Sequence, residues 1–154
     1  KLYVSAVFYF FYSAVLGLAM DTNMKATLCE QTIINTYKAY PEIRGCILHS
    51  DRGTQYTSEL YRNTIKQYGI VQSMNSAGGR CHDNARCESM WARLKEELIY
   101  NRYNASKTTV EHMKTIIWRY FISYWNNRRI CSTNGGLPPM IKRQQYYRSL
   151  KDAA

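Results

Sequence analysis

Residues 2–20, LYVSAVFYFFYSAVLGLAM, run for nineteen positions without a charged side chain, directly behind Lys1. A neutral stretch of that length has few outlets: a membrane-spanning helix, a cleaved leader, or strands buried inside a domain. The segment is rich in aromatic and β-branched residues, and Ser5, Ser13 and Gly17 interrupt it where a spanning helix would carry Leu. That composition suits a strand over 2–10, a turn near 11–13 and an antiparallel partner over 14–20. On this segment alone, a small membrane-anchored basic protein using 2–20 as its span stays open.

Beyond residue 20 the chain alternates between helical and extended patterns. Met24, Leu28, Thr32, Ile33 and Tyr37 recur near helical spacing until Pro41 stops them. Residues 45–49 form a short apolar run ending at Ser50-Asp51, so a strand is expected there. Thr57 or Ser58 caps a helix that Gly69 closes, and 70–74 reads as another short strand. Ser76-Ala77-Gly78-Gly79 is a loop signal, after which Asp83-Asn84 opens a helix to about Tyr100, with Asp83 as its cap. Thr108 or Thr109 opens a further helix whose apolar stripe runs from Val110 to Tyr124, and 126–139 is irregular. Strands alternating with helices, then helices alone, predict an α/β domain with a mixed sheet and a helical C-terminal part.

Charge adds a partner class. The 154 residues carry 21 Lys+Arg against 11 Asp+Glu, a net charge of +10. From Arg80 onward there are 14 basic and 6 acidic residues, so the C-terminal half holds +8 of that total. A basic half on a compact domain points to nucleic acid, with an anionic membrane surface or plain solubility as alternatives. The five cysteines include no CxxC pair and fit no usual zinc spacing, which reads as free thiols in a reducing compartment.

Acidic residues are few, so their positions matter. Asp51 follows a predicted strand, where open α/β sheets place ligands, and Arg52-Gly53-Thr54-Gln55-Tyr56 behind it is a polar turn able to grip phosphate. Taken alone, Asp51 is better explained as a turn residue. Glu88 falls in the first turn of the helix after the glycine loop, a position the helix dipole favours anyway. Lys95, seven residues on, returns to nearly the same face, about 20° round and ~10 Å along. A metal-binding carboxylate with a lysine further along one face suits chemistry on DNA phosphates; it also suits a solvated helix.

Several blocks in fixed order carry a resemblance. His49-Ser50-Asp51-Arg52-Gly53-Thr54-Gln55-Tyr56-Thr57-Ser58, then 69–74, Asp83-Asn84-Ala85, Glu88-Ser89, Leu94-Lys95, Glu97, Tyr124-Trp125-Asn126-Asn127-Arg128-Arg129 and Gly136-Leu137-Pro138-Pro139 resemble DDE-type insertion-sequence transposases. These belong to the retroviral-integrase superfamily and are usually made from the second of two frameshifted reading frames. The resemblance implies a ribonuclease H-like fold, a mixed sheet flanked by helices, and metal-dependent DNA cleavage and strand transfer. Asp51 matches the second catalytic aspartate and Glu88 the catalytic glutamate, together the metal ligands for Mg²⁺ or Mn²⁺, with two ions expected in an intact member. Lys95, Arg52, Gln55, Asn84, Arg128 and Arg129 fall where DNA contacts are expected. The implied partners are DNA, as element ends and target, and further copies of the chain; the implied setting is the bacterial cytoplasm, at the nucleoid, with no membrane.

The pattern also departs from the family. Thirty-six residues separate Asp51 from Glu88, one more than usual, a difference a loop absorbs. Tyr9 and Ser13 stand where the family carries Asp and Arg, and the nearer helix position, Ala92, offers no contact group. The family's first aspartate lies on a central strand upstream of the stretch matching 2–7, so this chain is expected to lack that strand. Asp21 matches no catalytic position. The expected organisation is a partial integrase core over 1–125 and a basic tail over 126–154. The expected behaviour is that of an inactive portion of a transposase or, alternatively, a non-enzymatic DNA-binding remnant.

Overall fold

The computed structural model describes residues 1–75, 85–100, 103 and 107–153. The neutral N-terminal segment forms β1 (Tyr3–Tyr9) and β2 (Ala14–Asp21), paired antiparallel from Tyr3↔Asp21 to Tyr9↔Ala14. Pairing jumps from Val7↔Gly17 to Phe8↔Val15, so Leu16 is an extra residue that bulges β2. Ser13 closes the turn at φ 57, a left-handed conformation costly for a side-chain-bearing residue, and its carbonyl accepts a 2.9 Å bond from the Trp125 indole. This hairpin takes the place of the spanning helix considered for 2–20. Among the described residues no helix is long and apolar enough to cross a membrane.

Helix α1 (Ala26–Ala39) packs on β2 through Leu28, Cys29, Thr32, Ile33 and Thr36. The two threonines bury their hydroxyls by donating to the carbonyls four residues back, at 2.8 Å for Thr32 and 2.6 Å for Thr36. Gly17 permits the close approach, since a Cβ there would lie 1.7 Å from the Thr36 hydroxyl oxygen. Pro41 turns the helix exit into a short 3₁₀ segment, Pro41–Ile43. Strand β3 (Ile47–Ser50) then pairs in parallel with β4 (Val71–Met74), Ile47 opposite Val71 and Ser50 opposite Met74.

Between them lie a one-turn helix α2 (Thr54–Thr57), where only a polar turn was expected, and α3 (Glu59–Gln67). The Ser58 hydroxyl caps α3, accepting from Tyr61 N at 3.3 Å, and Gly69 leaves the helix at φ +66. Helix α4 (Ala85–Leu94) widens into a π-helical stretch, Lys95–Ile99; its expected cap, Asp83, and the glycine loop lie outside the described residues. Thr109 caps α5 (Val110–Trp118), accepting from His112 N at 3.2 Å, and this helix too widens, over Arg119–Trp125. Helix α6 (Pro139–Asp152) ends the chain's regular structure, its start fixed by Pro138-Pro139.

The four described strands do not join in one sheet. They form two separate pairs, β1 with β2 and β3 with β4, so one edge of β1 and one edge of β3 lack strand partners among the described residues. The mixture of parallel and antiparallel pairing is as expected; the continuity is not, and the absence of a strand between β1 and β3 among the described residues accounts for it.

Two apolar clusters fill the interior. Phe121, Met90, Leu94, Ile117 and Trp125 gather with Val15 and Leu18 of β2 on one side. Ile33, Ile43, Tyr61, Ile65 and Ile70 gather with Ala14 and Leu16 on the other. β2 thus sends side chains to both clusters, as a strand buried on both faces does, with the bulge at Leu16 shifting the alternation between Leu16 and Leu18.

Candidate active site

Strand β3 delivers Asp51 at its C-terminal end. The carboxylate Oδ1 accepts from Gly53 N at 2.8 Å, which folds the next residues into α2. The neighbouring strand braces this end. His49 bonds Ser73 Oγ at 3.0 Å and Asn75 Oδ1 at 2.6 Å through its two ring nitrogens, and Arg52 Nε donates to Asn75 O at 2.6 Å. Asp51 itself is exposed. Glu88, in the first turn of α4, is also exposed.

Both carboxylates line one cleft of about 360 Å³, whose walls include Val4 to Val7 of β1, Leu48 to Ser50 of β3, and Tyr56 of α2. The cleft is therefore the gap between the two unpaired strand edges, with Asp51 and Glu88 on its lining. Cys29 also faces it; burial pushes that thiol up, and the Asp51 charge adds to the effect, so it stays protonated and neutral near pH 7. A second, apolar hollow of about 50 Å³ continues the gap past Val7 and Tyr9 on one side and Cys46 to Leu48 on the other. A larger hollow of about 710 Å³ lies between the π-helical stretches, but neither Asp51 nor Glu88 touches it, so size is a poor guide to the chemistry here.

Oxygen donors on exposed carboxylates fit a hard divalent cation such as Mg²⁺ or Mn²⁺. The donor set is short for two ions: among the described residues no three His, Cys, Asp or Glu side chains converge. Asp51 and Glu88 put two such donors on one cleft, and a bridged pair of ions calls for a third acid.

Of the residues expected to touch DNA, Lys95 shares a shallow depression with Glu88, Ala92 and Trp91, while Arg93 does not line it. Arg52 and Gln55 flank Asp51, and Arg128 is exposed. Asn84 lies outside the described residues. Arg129 is engaged internally. Its NH2 meets Glu97 Oε1 at 2.9 Å and its guanidinium stacks 4.6 Å from the centroid of the Trp125 ring. Tyr120 donates to the other Glu97 oxygen at 2.8 Å, which ties the end of α4 to α5.

Sequence reasoning missed Asn126. Its amide accepts from Val15 N at 2.9 Å and donates to Val15 O at 2.8 Å, standing in for a neighbouring strand on β2. The only trace of this in the sequence is the Trp125-Asn126 pair inside the block shared with transposases.

Residues 1–80 match the family described as "Integrase core domain", and residues 69–139 match a second family of the same description. The chain belongs to the integrase core domain family. Among relatives of this integrase core, the transposase InsF for insertion sequence IS3A of Escherichia coli (strain K12) is 34% identical over 138 residues, covering 90% of this chain and 46% of the relative. The transposase for insertion sequence element IS904 of Lactococcus lactis is 32% identical over 132 residues, covering 85% of this chain and 50% of the relative. This integrase core thus spans about half the length of the curated relatives it matches. In fold it is similar to the HTLV-2 integrase catalytic core domain solved with magnesium, with a TM-score of 0.58 at 13% identity, covering 91% of each chain. A chain of the simian T-cell lymphotropic virus intasome superposes with a TM-score of 0.63 at 12% identity, covering 83% of this chain and 43% of that one. The fold is ribonuclease H-like, as the motif blocks implied, with its β-layer divided.

Proposed function

We propose that this chain is the integrase-core part of an insertion-sequence transposase, acting on DNA in the bacterial cytoplasm, and that Asp51 and Glu88 hold a divalent cation. The observation carrying the reading is that these two carboxylates, one matched to each late motif block, line a single cleft. Support comes from transposase relatives above 30% identity and from the basic C-terminal half.

In phosphoryl transfer, divalent ions stabilise the charge building on the attacking and leaving oxygens. The chain's own residues do the rest. Asp51, fixed by Gly53 N and by the braced end of β3, holds one side of the cation site. Glu88 holds the other from α4, and Lys95 on the same helix surface binds a phosphate of the substrate. A complete two-ion site needs a third acid, which we assign to an extended segment seated between β1 and β3. Without it, the chain by itself binds DNA but does not cut or join it, since misplacing the reacting oxygens removes most of the rate advantage.

Mn²⁺ titration followed by electron paramagnetic resonance tests the cation site. One weak site per chain is expected, lost in Asp51→Asn and in Glu88→Gln. Binding that survives both substitutions would overturn the assignment.

A further inference from the structure

We infer that α6 forms a second DNA-backbone contact, set apart from the carboxylate cleft, in which Gln144, Arg148 and Lys151 bind phosphates. The inference rests on the DNA reading above and extends it to a surface which that reading does not use.

Several side-chain contacts tie one side of the helix to the domain. Arg143 points inward, ion-paired to Glu42, bonded to the Tyr12 hydroxyl at 3.3 Å, and stacked on the rings of Tyr40 and Tyr147 at 5.0 and 4.7 Å. Tyr146 packs edge-on against Phe11 at 5.0 Å, and Pro139 is fully buried. With one side held this way, the adjoining face has a defined direction. Gln144, Arg148 and Lys151 are spaced four and three residues apart, fall within one narrow arc, and are exposed. They line a shallow groove of about 220 Å³ floored by Arg143 and Tyr147.

Lys at a helix end is favoured by the helix dipole without any ligand. Two observations go beyond that. Among the described residues no carboxylate forms an ion pair with Arg148 or Lys151, although Glu42 lies beneath the same helix and pairs with Arg143 instead. The groove also joins cations, an amide donor and an aromatic wall, the set that tracks a sugar-phosphate backbone.

The surface is separate from Asp51. Val4 to Val7 line the cleft with the end of β3, whereas Val7 and Tyr9 share the second hollow with its start, so β1 runs antiparallel to β3. Tyr12, on which α6 rests, therefore lies at the end where β3 begins and Asp51 at the end where it finishes, roughly 13 Å apart by strand rise alone. That spacing lets one duplex touch both regions.

The test is the salt dependence of binding to a duplex of arbitrary sequence, read by fluorescence anisotropy. The Arg148→Ala/Lys151→Ala double variant should lower the slope of log affinity against log salt by about 1.8 in magnitude, near 0.9 per lost phosphate contact. The Arg148→Gln/Lys151→Gln variant, with a matching melting curve, should show the same loss. A slope unchanged in both, while Arg52→Ala lowers it, overturns the α6 contact and leaves the DNA reading standing. Failure of the unaltered chain to bind any duplex overturns both. Selective loss of binding to vesicles rich in phosphatidylserine, with the DNA slope unchanged, would assign the groove to a membrane surface and overturn it as well.

Discussion

The Asn126 side chain closes a two-way hydrogen bond with the backbone of Val15, donating at 2.8 Å and accepting at 2.9 Å across 111 residues of sequence. Both residues are buried, so neither backbone group has water to fall back on. Leaving a buried donor or acceptor unpaired costs about 1–3 kcal/mol each. Asn126→Ala strands both, so unfolding in urea should show a loss of roughly 2–6 kcal/mol. Asn126→Asp restores only the acceptor and should remain clearly destabilised. A midpoint unchanged in Asn126→Ala would mean that β2 needs no partner on that edge.

This contact also marks where sequence reasoning stops. The hairpin, the end of β3 before Asp51 and, to within one residue, the caps at Ser58 and Thr109 were legible because each depends on residues a few positions apart. Asn126 was not, because an amide that replaces a strand is recognisable only once the distant strand is in place. The division of the β-layer obeys the same logic: each strand pattern is local, but which edges meet is not. The two π-helical stretches were read as plain helix because apolar periodicity cannot separate the two over five to seven residues. In the candidate site, the motif blocks singled out Asp51 and Glu88, and both line one cleft. Arg129, expected to face DNA, is turned inward by Glu97, an outcome charge alone does not encode.

The Glu97 carboxylate gives a pH signature. Partial burial would raise it, but hydrogen bonds from Arg129 and Tyr120 win and hold it below the ordinary glutamate value of 4.5. A carboxylate depressed in the folded state stabilises the fold fully above its unfolded value and stops doing so as pH falls through the folded one. Stability should therefore decline below about pH 4.5. Glu97→Gln, which keeps the shape and loses the charge, should decline less steeply over that window in thermal melts. Parallel declines for the two proteins would show that the pair carries no pH-dependent stability.

Lys95 offers a sharper test of the helix that carries Glu88. It shares a surface with Glu88, and Arg93 does not line that surface. A point contact with phosphate is blind to sequence, so Lys95→Ala should weaken binding to all duplexes alike and reduce the salt slope by about one. Arg93→Ala should leave the slope near that of the unaltered chain. Equal effects from both would reduce Lys95 to general surface charge.

The gap between β1 and β3 yields the most demanding prediction. Each strand has one edge without a strand partner among the described residues, and the 360 Å³ cleft with its apolar continuation runs between them. Unpaired edges facing each other across a slot are a template for one more strand, antiparallel to β1 and parallel to β3. An added strand would bury the apolar walls, pair the open amides, and bring a residue at its cleft end beside Asp51 and Glu88. Hydrogen exchange should therefore find amides of Tyr3–Tyr9 and Ile47–Ser50 poorly protected in the chain alone. They should become protected when a peptide of alternating apolar residues is supplied, or when the chain carries such a strand ahead of Lys1. If that strand places an Asp at the cleft, Mg²⁺- or Mn²⁺-dependent DNA cleavage should appear; with Asn in its place, protection should persist and cleavage should not. Cleavage by the chain alone that Asp51→Asn abolishes would mean another group already supplies the third ligand. In that case the slot has no catalytic part, and the division of the β-layer is simply how this chain folds.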